Sequence, residues 1–154
     1  MADGVLVVGV GNRLRGDDGA GLAVAGRLRE RGVRAVRELE GEGLGLIDLW
    51  DGARAVVLVD GVRSGAPPGT LHRLDAGAGP LPAALRSSSS THAIGGAAAI
   101  ELARALGRLP GRLVVFGVEG ARFDTGAGLS KPVAAAIDAA ADAVQDELRA
   151  LSAG

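Results

Sequence analysis

A chain of 154 residues, 47% of them hydrophobic, is sized for one domain that buries most of its apolar surface, and leaves no room for two. Its 17 basic and 18 acidic side chains nearly cancel, which argues against a domain built to neutralise many nucleic-acid phosphates. Cysteine is absent, so disulfides, Cys-ligated zinc, iron–sulfur clusters and a thiolate nucleophile are all excluded; any metal must use carboxylate, backbone oxygen or one of the two histidines, His72 and His92.

The start has no basic n-region, and its apolar run is too short for a signal h-region or a membrane span. The expectation is a soluble protein of the cytoplasm. Val5 to Val10 is a continuous aliphatic run of strand length, the pattern of a strand buried on both faces. After a polar loop, Gly19 to Arg31 carries Leu22, Val24, Ala25 and Leu28 among arginines, an amphipathic helix stopped by Gly32. Val33 to Leu39 reads as a second strand, Leu44 to Trp50 as a short helix and Ala55 to Asp60 as the central strand. Pro67, Pro68 and Gly69 mark a turn before Thr70 to Leu74, whose alternation suits an exposed edge strand with His72 facing solvent.

Residues 75 to 90 read as a Gly/Pro and serine-rich surface loop. Ile94 to Leu106 is an Ala-rich helix stopped by Gly107, Leu113 to Val118 another buried strand, and Leu129 to Leu151 a final helix with Pro132 in its first turn. Strands alternating with helices at this spacing predict a three-layer α/β/α sandwich around a mostly parallel sheet.

In such folds the functional crevice lies beyond the carboxyl ends of the strands. That rule selects Gly11 to Gly21, Asp60 with Gly61, and Glu119 to Phe123. The first loop invites a dinucleotide reading, but the third glycine of G-x-G-x-x-G would fall at Leu14, and Asp17 and Asp18 stand where a pyrophosphate needs bare N–H groups. Acidic residues also favour helix N-termini for their own sake, and one aspartate suffices for that; Asp17 is expected to cap and Asp18 to be free. Asp60 has an equally plain explanation, stabilising the Asp-Gly turn after its strand. Thr91 is a candidate N-cap for the Ala-rich helix, which would put His92 in a first turn that favours neutral imidazole. Ser90 lacks an orienting acid and a G-x-S-x-G elbow, so a serine nucleophile is disfavoured. Taken together, Asp18, Asp60 and His92 offer two carboxylates and one imidazole from three loops, a set suited to nickel, zinc or manganese with positions left open.

Read as a series, these segments resemble a known family. Gly9-Val10-Gly11-Asn12 with Leu14 and Asp17-Asp18-Gly19-Ala20-Gly21 resembles the G-[VI]-G-N-x-L-x-x-D-[DE]-G-x-G signature of the hydrogenase maturation proteases. Val57-Leu58-Val59-Asp60 followed by Pro68-Gly69-Thr70-Leu71, then Ser90-Thr91-His92 with Gly95, then Phe116-Gly117-Val118-Glu119 with Leu129-Ser130, resemble its later blocks in order along nearly the whole chain. The resemblance implies a single domain over residues 1–154 with a phosphorylase/hydrolase-like fold. It implies an endopeptidase that trims the C-terminus of a nickel-iron hydrogenase large-subunit precursor, with the precursor's own nickel as recognition signal and no organic cofactor, nucleic acid or membrane insertion. The implied metal trio is Asp18, Asp60 and His92, with Asp18 or Asp17 as the general base of an alternative mechanism. Gly61, where the family usually has Ala, and Arg13 and Arg15 in the first loop depart from its pattern. A non-catalytic nickel-check chaperone and a small-molecule hydrolase are the rival expectations.

Overall fold

The computed structural model describes residues 4–41, 45–82 and 96–153. Ser90, Thr91, His92 and Gly95, the start of the Ala-rich helix at Ile94, and the second half of the serine loop lie outside the described residues, as does Leu44.

The aliphatic runs become strands because both of their faces are covered. β1 (Val5–Gly11) and β3 (Ala55–Val62) are buried at every position, and β5 (Arg112–Glu119) at every position but its first. Side chains alternate across a strand, so one run serves two cores. Val5, Val7, Val57, Val59, Val114 and Phe116 pack on one face with α1 (Ala20–Glu30) and α4 (Lys131–Ala153). Leu6, Val8, Val56, Leu58, Leu113 and Val115 pack on the other with Trp50, α2 (Leu46–Leu49) and α3 (Gly96–Leu106). Each fully buried Val or Leu contributes about 1.5–3 kcal/mol.

The sheet runs β2 (Val36–Glu40), β1, β3, β5, β4 (Leu71–Asp75). The first four strands are parallel and β4 is antiparallel to β5, so the expected three-layer, mostly parallel architecture holds and β4 lies at an edge as its alternation suggested. Among the described residues no helix is long and apolar enough to cross a membrane.

Two boundary shifts bear on the site. The second strand begins at Val36 rather than Val33, because residues 31–33 close the end of α1: the Val33 N–H reaches the Leu28 carbonyl at 3.0 Å around Gly32, whose φ is +89°. β3 continues to Val62, so Asp60 sits inside the strand, opposite Gly117 of β5, instead of opening an Asp-Gly turn.

The helix that follows the first loop is pressed unusually close to the sheet. A methyl group on Gly21 would lie 2.3 Å from the Val59 carbonyl oxygen and 2.5 Å from that of Val10, and one on Gly9 would lie 2.3 Å from the Gly21 oxygen. These glycines therefore serve helix–strand contact, and the contact carries the start of α1, with Asp17 and Asp18 just before it, onto the carboxyl ends of β1 and β3.

Candidate functional site

Among the described residues the buried polar and charged side chains are Asp17, Asp18, Asp60, Glu119 and Ser130, and each lies in or beside one of the segments at the carboxyl end of the parallel strands. The expected crevice position is thus where charge has been taken out of water.

Asp17 and Asp18 share a 3-10 turn (Gly16–Gly19) between β1 and α1, yet their surroundings differ. Neither side chain caps the turn or the helix, which corrects the expected capping role of Asp17. Its carboxylate crosses instead to the segment between β5 and α4. Oδ1 accepts the Ser130 N–H at 2.7 Å, and Oδ2 accepts the N–H groups of Ala121 and Arg122 at 2.7 and 3.1 Å and the Ser130 hydroxyl at 2.8 Å. Burial pushes the Asp17 carboxyl up, but these four donors outweigh it and hold its pKa below the ordinary value. A carboxylate held by four donors is anchored in place, with three of the bonds converging on Oδ2 and one on Oδ1.

Asp18 is 4% exposed, and among the described residues its Oδ1 is the one buried side-chain polar atom without a hydrogen-bond partner. Burial raises its pKa, against the pull of the Arg15 guanidinium, whose Nη1 stands 4.0 Å from Oδ2, and of the Asn12 backbone. Such an atom in a folded core calls for an explanation, because leaving a buried acceptor unmet costs about 1–3 kcal/mol. Asp18 is therefore the expected free acid of the pair.

Asp60, 5% exposed, accepts the Gly61 N–H through Oδ1 at 2.8 Å. The following residue abuts the Asp17–Asp18 turn: a methyl on Gly61 would lie 2.6 Å from the Asp17 carbonyl oxygen and 3.6 Å from the Asp18 Cα. Asp60 Oδ2 in turn faces the start of α3, where a methyl on Gly96 would lie 3.1 Å from it. The two carboxylate-bearing segments are thus adjacent. His92 lies outside the described residues, among which no group of three His, Asp or Glu side chains is disposed to hold a metal ion.

A cluster that sequence reasoning missed lies beside them. Glu119 is 1% exposed and accepts the Ser64 N–H at 2.8 Å, the Ser64 hydroxyl, and His72 Nε2 at 3.0 Å. Burial pushes its carboxyl up, yet the Ser64 donors and His72 bring it below the ordinary range. His72 is correspondingly half-buried, not solvent-facing as its strand alternation suggested, and it lines a narrow, mostly apolar cleft together with Asp60, Leu58 and Ile100. The edge strand's neighbour supplied a carboxylate partner 47 residues away, which periodicity does not encode.

Comparison with known proteins decides the lineage. The family model described as hydrogenase maturation protease matches residues 36–147. The chain belongs to the hydrogenase maturation protease family. The hydrogenase expression/formation protein HupD of Rhodobacter capsulatus is 35% identical over 153 residues, covering 95% of this chain and 71% of that protein. HupD of Thiocapsa roseopersicina is 32% identical over 132 residues, which cover 83% of this chain but 59% of that relative's length. Among solved structures, the hydrogenase maturating endopeptidase HybD from E. coli superposes with a TM-score of 0.76 at 27% identity, covering 94% of this chain and 91% of that one. The enzyme class expected from the sequence, a hydrolase acting as a peptidase, is that of the family. Gly61 gains a reason in this setting, since the 2.6 Å approach of the Asp17 carbonyl oxygen leaves no room there for a side chain.

Proposed function

We propose that the protein is an endopeptidase that removes the C-terminal extension of a nickel-iron hydrogenase large-subunit precursor after nickel insertion, recognising the ion already seated in that precursor. The observation that carries this reading is the unpartnered, buried oxygen of Asp18 beside the strand that bears Asp60. A buried carboxylate with one oxygen left without a partner is stabilised when a cation arrives, and two carboxylates with an imidazole suit nickel. His92 is the proposed third group; Gly96, four residues after it in the sequence, opens α3 against Asp60. The donor types present therefore fit an ion brought by the substrate.

Within this reading the roles of this chain's own groups differ. Burial raises the Asp18 pKa, so its carboxylate is more basic than an exposed aspartate. It serves either to meet the ion or to take a proton from the attacking water. The ion, when bound, polarises the scissile carbonyl or lowers the pKa of a water. Asp17 holds the turn in place, and its four hydrogen bonds argue against its use as the base. The protein acts in the cytoplasm, where the precursor is assembled.

Incubating the purified protein with a nickel-loaded precursor and following the precursor's mass tests the reading. Loss of a C-terminal peptide supports it, and an uncut but stably bound precursor supports the rival nickel-check chaperone. Asp18→Asn, Asp60→Asn and His92→Ala variants that all keep full activity would remove both versions of the mechanism. Weakened capture of the nickel-loaded precursor together with weakened cleavage in Asp18→Asn favours contact with the ion; weakened cleavage alone favours the general base.

A further inference from the structure

The surface around Asp18 carries unmatched positive charge. Many arginines elsewhere are matched to carboxylates, Arg27 and Arg31 to Asp138, Arg29 to Glu38, Arg73 to Glu147, Arg104 to Glu101 and Arg149 to Asp146, although exposed Arg34 and Arg37 form no ion pair among the described residues. Within the first loop, Arg13 is matched too, to Glu38 and Glu40. Among the described residues, exposed Arg63 and Arg122 form no ion pair, although they follow β3 and β5 at the same end of the sheet as Asp18.

These residues share one surface because the three loops are stitched together. The Asp17 N–H donates to the Arg122 carbonyl at 2.9 Å, the Gly126 N–H to the Leu14 carbonyl at 2.7 Å, and the Gly120 N–H to the Val62 carbonyl at 2.9 Å. The Arg63 guanidinium stacks on the buried Phe123 ring, 4.4 Å from its centroid, which holds the cation in place without neutralising it. On the same surface Leu14 is 66% exposed, the most exposed large hydrophobic side chain among the described residues. Asp124 is the one exposed acid of this loop region, and it leaves the balance positive. An exposed leucine beside unmatched arginines, in a chain of net charge −1, is not a general polyanion surface. It combines a hydrophobic contact with charges that select sign, the pattern of peptide recognition.

We infer that Leu14, Arg63 and Arg122 form the docking surface for an acidic polypeptide segment of the partner, one apolar side chain of which packs on Leu14. This rests on the proposed endopeptidase reading only for which protein supplies the segment. The surface itself is testable alone.

The test uses the whole protein and two short fluorescent peptides, one of Asp and Glu around a central Leu and the other with Asn and Gln in their place, followed by anisotropy. The acidic peptide is expected to bind about tenfold more tightly than its neutral counterpart, with the difference shrinking as salt rises. Arg63→Glu with Arg122→Glu should remove that preference and Leu14→Ser should weaken binding, while Arg149→Glu, on distant α4, should change neither. Equal affinity for the two peptides, or a preference that survives the double charge reversal in a protein with an unchanged melting temperature, overturns the inference. So does displacement of the acidic peptide by duplex DNA at comparable concentration. The nickel-loaded precursor separates the two readings: if it is cut equally well by wild type and by the double variant, the docking surface fails and the endopeptidase stands. If neither cuts it, the endopeptidase fails and the peptide titration still judges the surface.

Discussion

The flank formed by α1 and α4 and the rim at the carboxyl ends of the strands use charge in opposite ways. On the flank, Arg27 and Arg31 reach across to Asp138 and Asp142 with every partner solvated: the aspartates are 64% and 69% exposed. On the rim, Asp17, Asp18, Asp60 and Glu119 are all within 5% of full burial. Solvated pairs contribute little, whereas a buried charge is destabilising unless donors surround it. The rim is therefore where sequence changes should matter, and within it the difference between saturated Asp17 and unsaturated Asp18 should separate stability from function.

The widest separation is expected at Asp18. Asp18→Asn should lower precursor processing by about 10²–10⁴-fold, measured as the rate of C-terminal trimming, while leaving the protein no less stable. The sign follows from its raised pKa. A carboxyl that is harder to ionise when folded weakens folding as pH rises through its unfolded value, so removing the charge does not cost stability.

Asp17→Ala should do the reverse. It strands the N–H groups of Ala121, Arg122 and Ser130, and a loss of about 3 kcal/mol, or a fall of about 6–12 °C in melting temperature, is expected by calorimetry. Gly61→Ala should cost about 1–3 kcal/mol, since its methyl must displace the backbone of the 3-10 turn; a neutral result would show that the turn is compliant.

Acid should expose the same contrast. Glu119 and Asp17 both titrate below their ordinary values when folded, so their stabilisation is present above those values and is lost as pH falls through the lowered ones. Urea midpoints of the wild type should drop as pH falls below the ordinary carboxylate range, and Glu119→Gln should be less stable at neutral pH with a shallower acid drop. The smallest effect is reserved for the flank: Arg31→Ala should leave the melting temperature within measurement error, and a large loss there would break the comparison.

What could be read from the sequence follows the same division. β1, β3, β5 and the long helices were legible because a strand or helix covered on its apolar faces is written in consecutive residues, as in Val5 to Val10 and Leu113 to Val118. The placement of Asp18 and Asp60 at the carboxyl ends of the strands was legible because the strand-end rule points to their segments. The clamp of Asp17 on Ser130 was not, since the two residues are 113 positions apart and a capping role satisfied every local rule. His72 was misread for a similar reason: alternation fixes which way an edge residue points but not whether another strand's carboxylate meets it there. The antiparallel direction of β4 also had no local signature, since the turn at Pro67 to Gly69 permits either course.

The tie between Asp17 and Ser130 has a bearing on the order in which the molecule is made. A ribosome releases residue 17 long before residue 130, so the turn that carries Asp18 waits, without its anchor, for nearly the whole chain to emerge. The geometry of that turn is then completed late in biosynthesis, when the segment leading into the last helix docks, and under the proposed function truncations near the C-terminus should silence chemistry at the opposite end of the sequence.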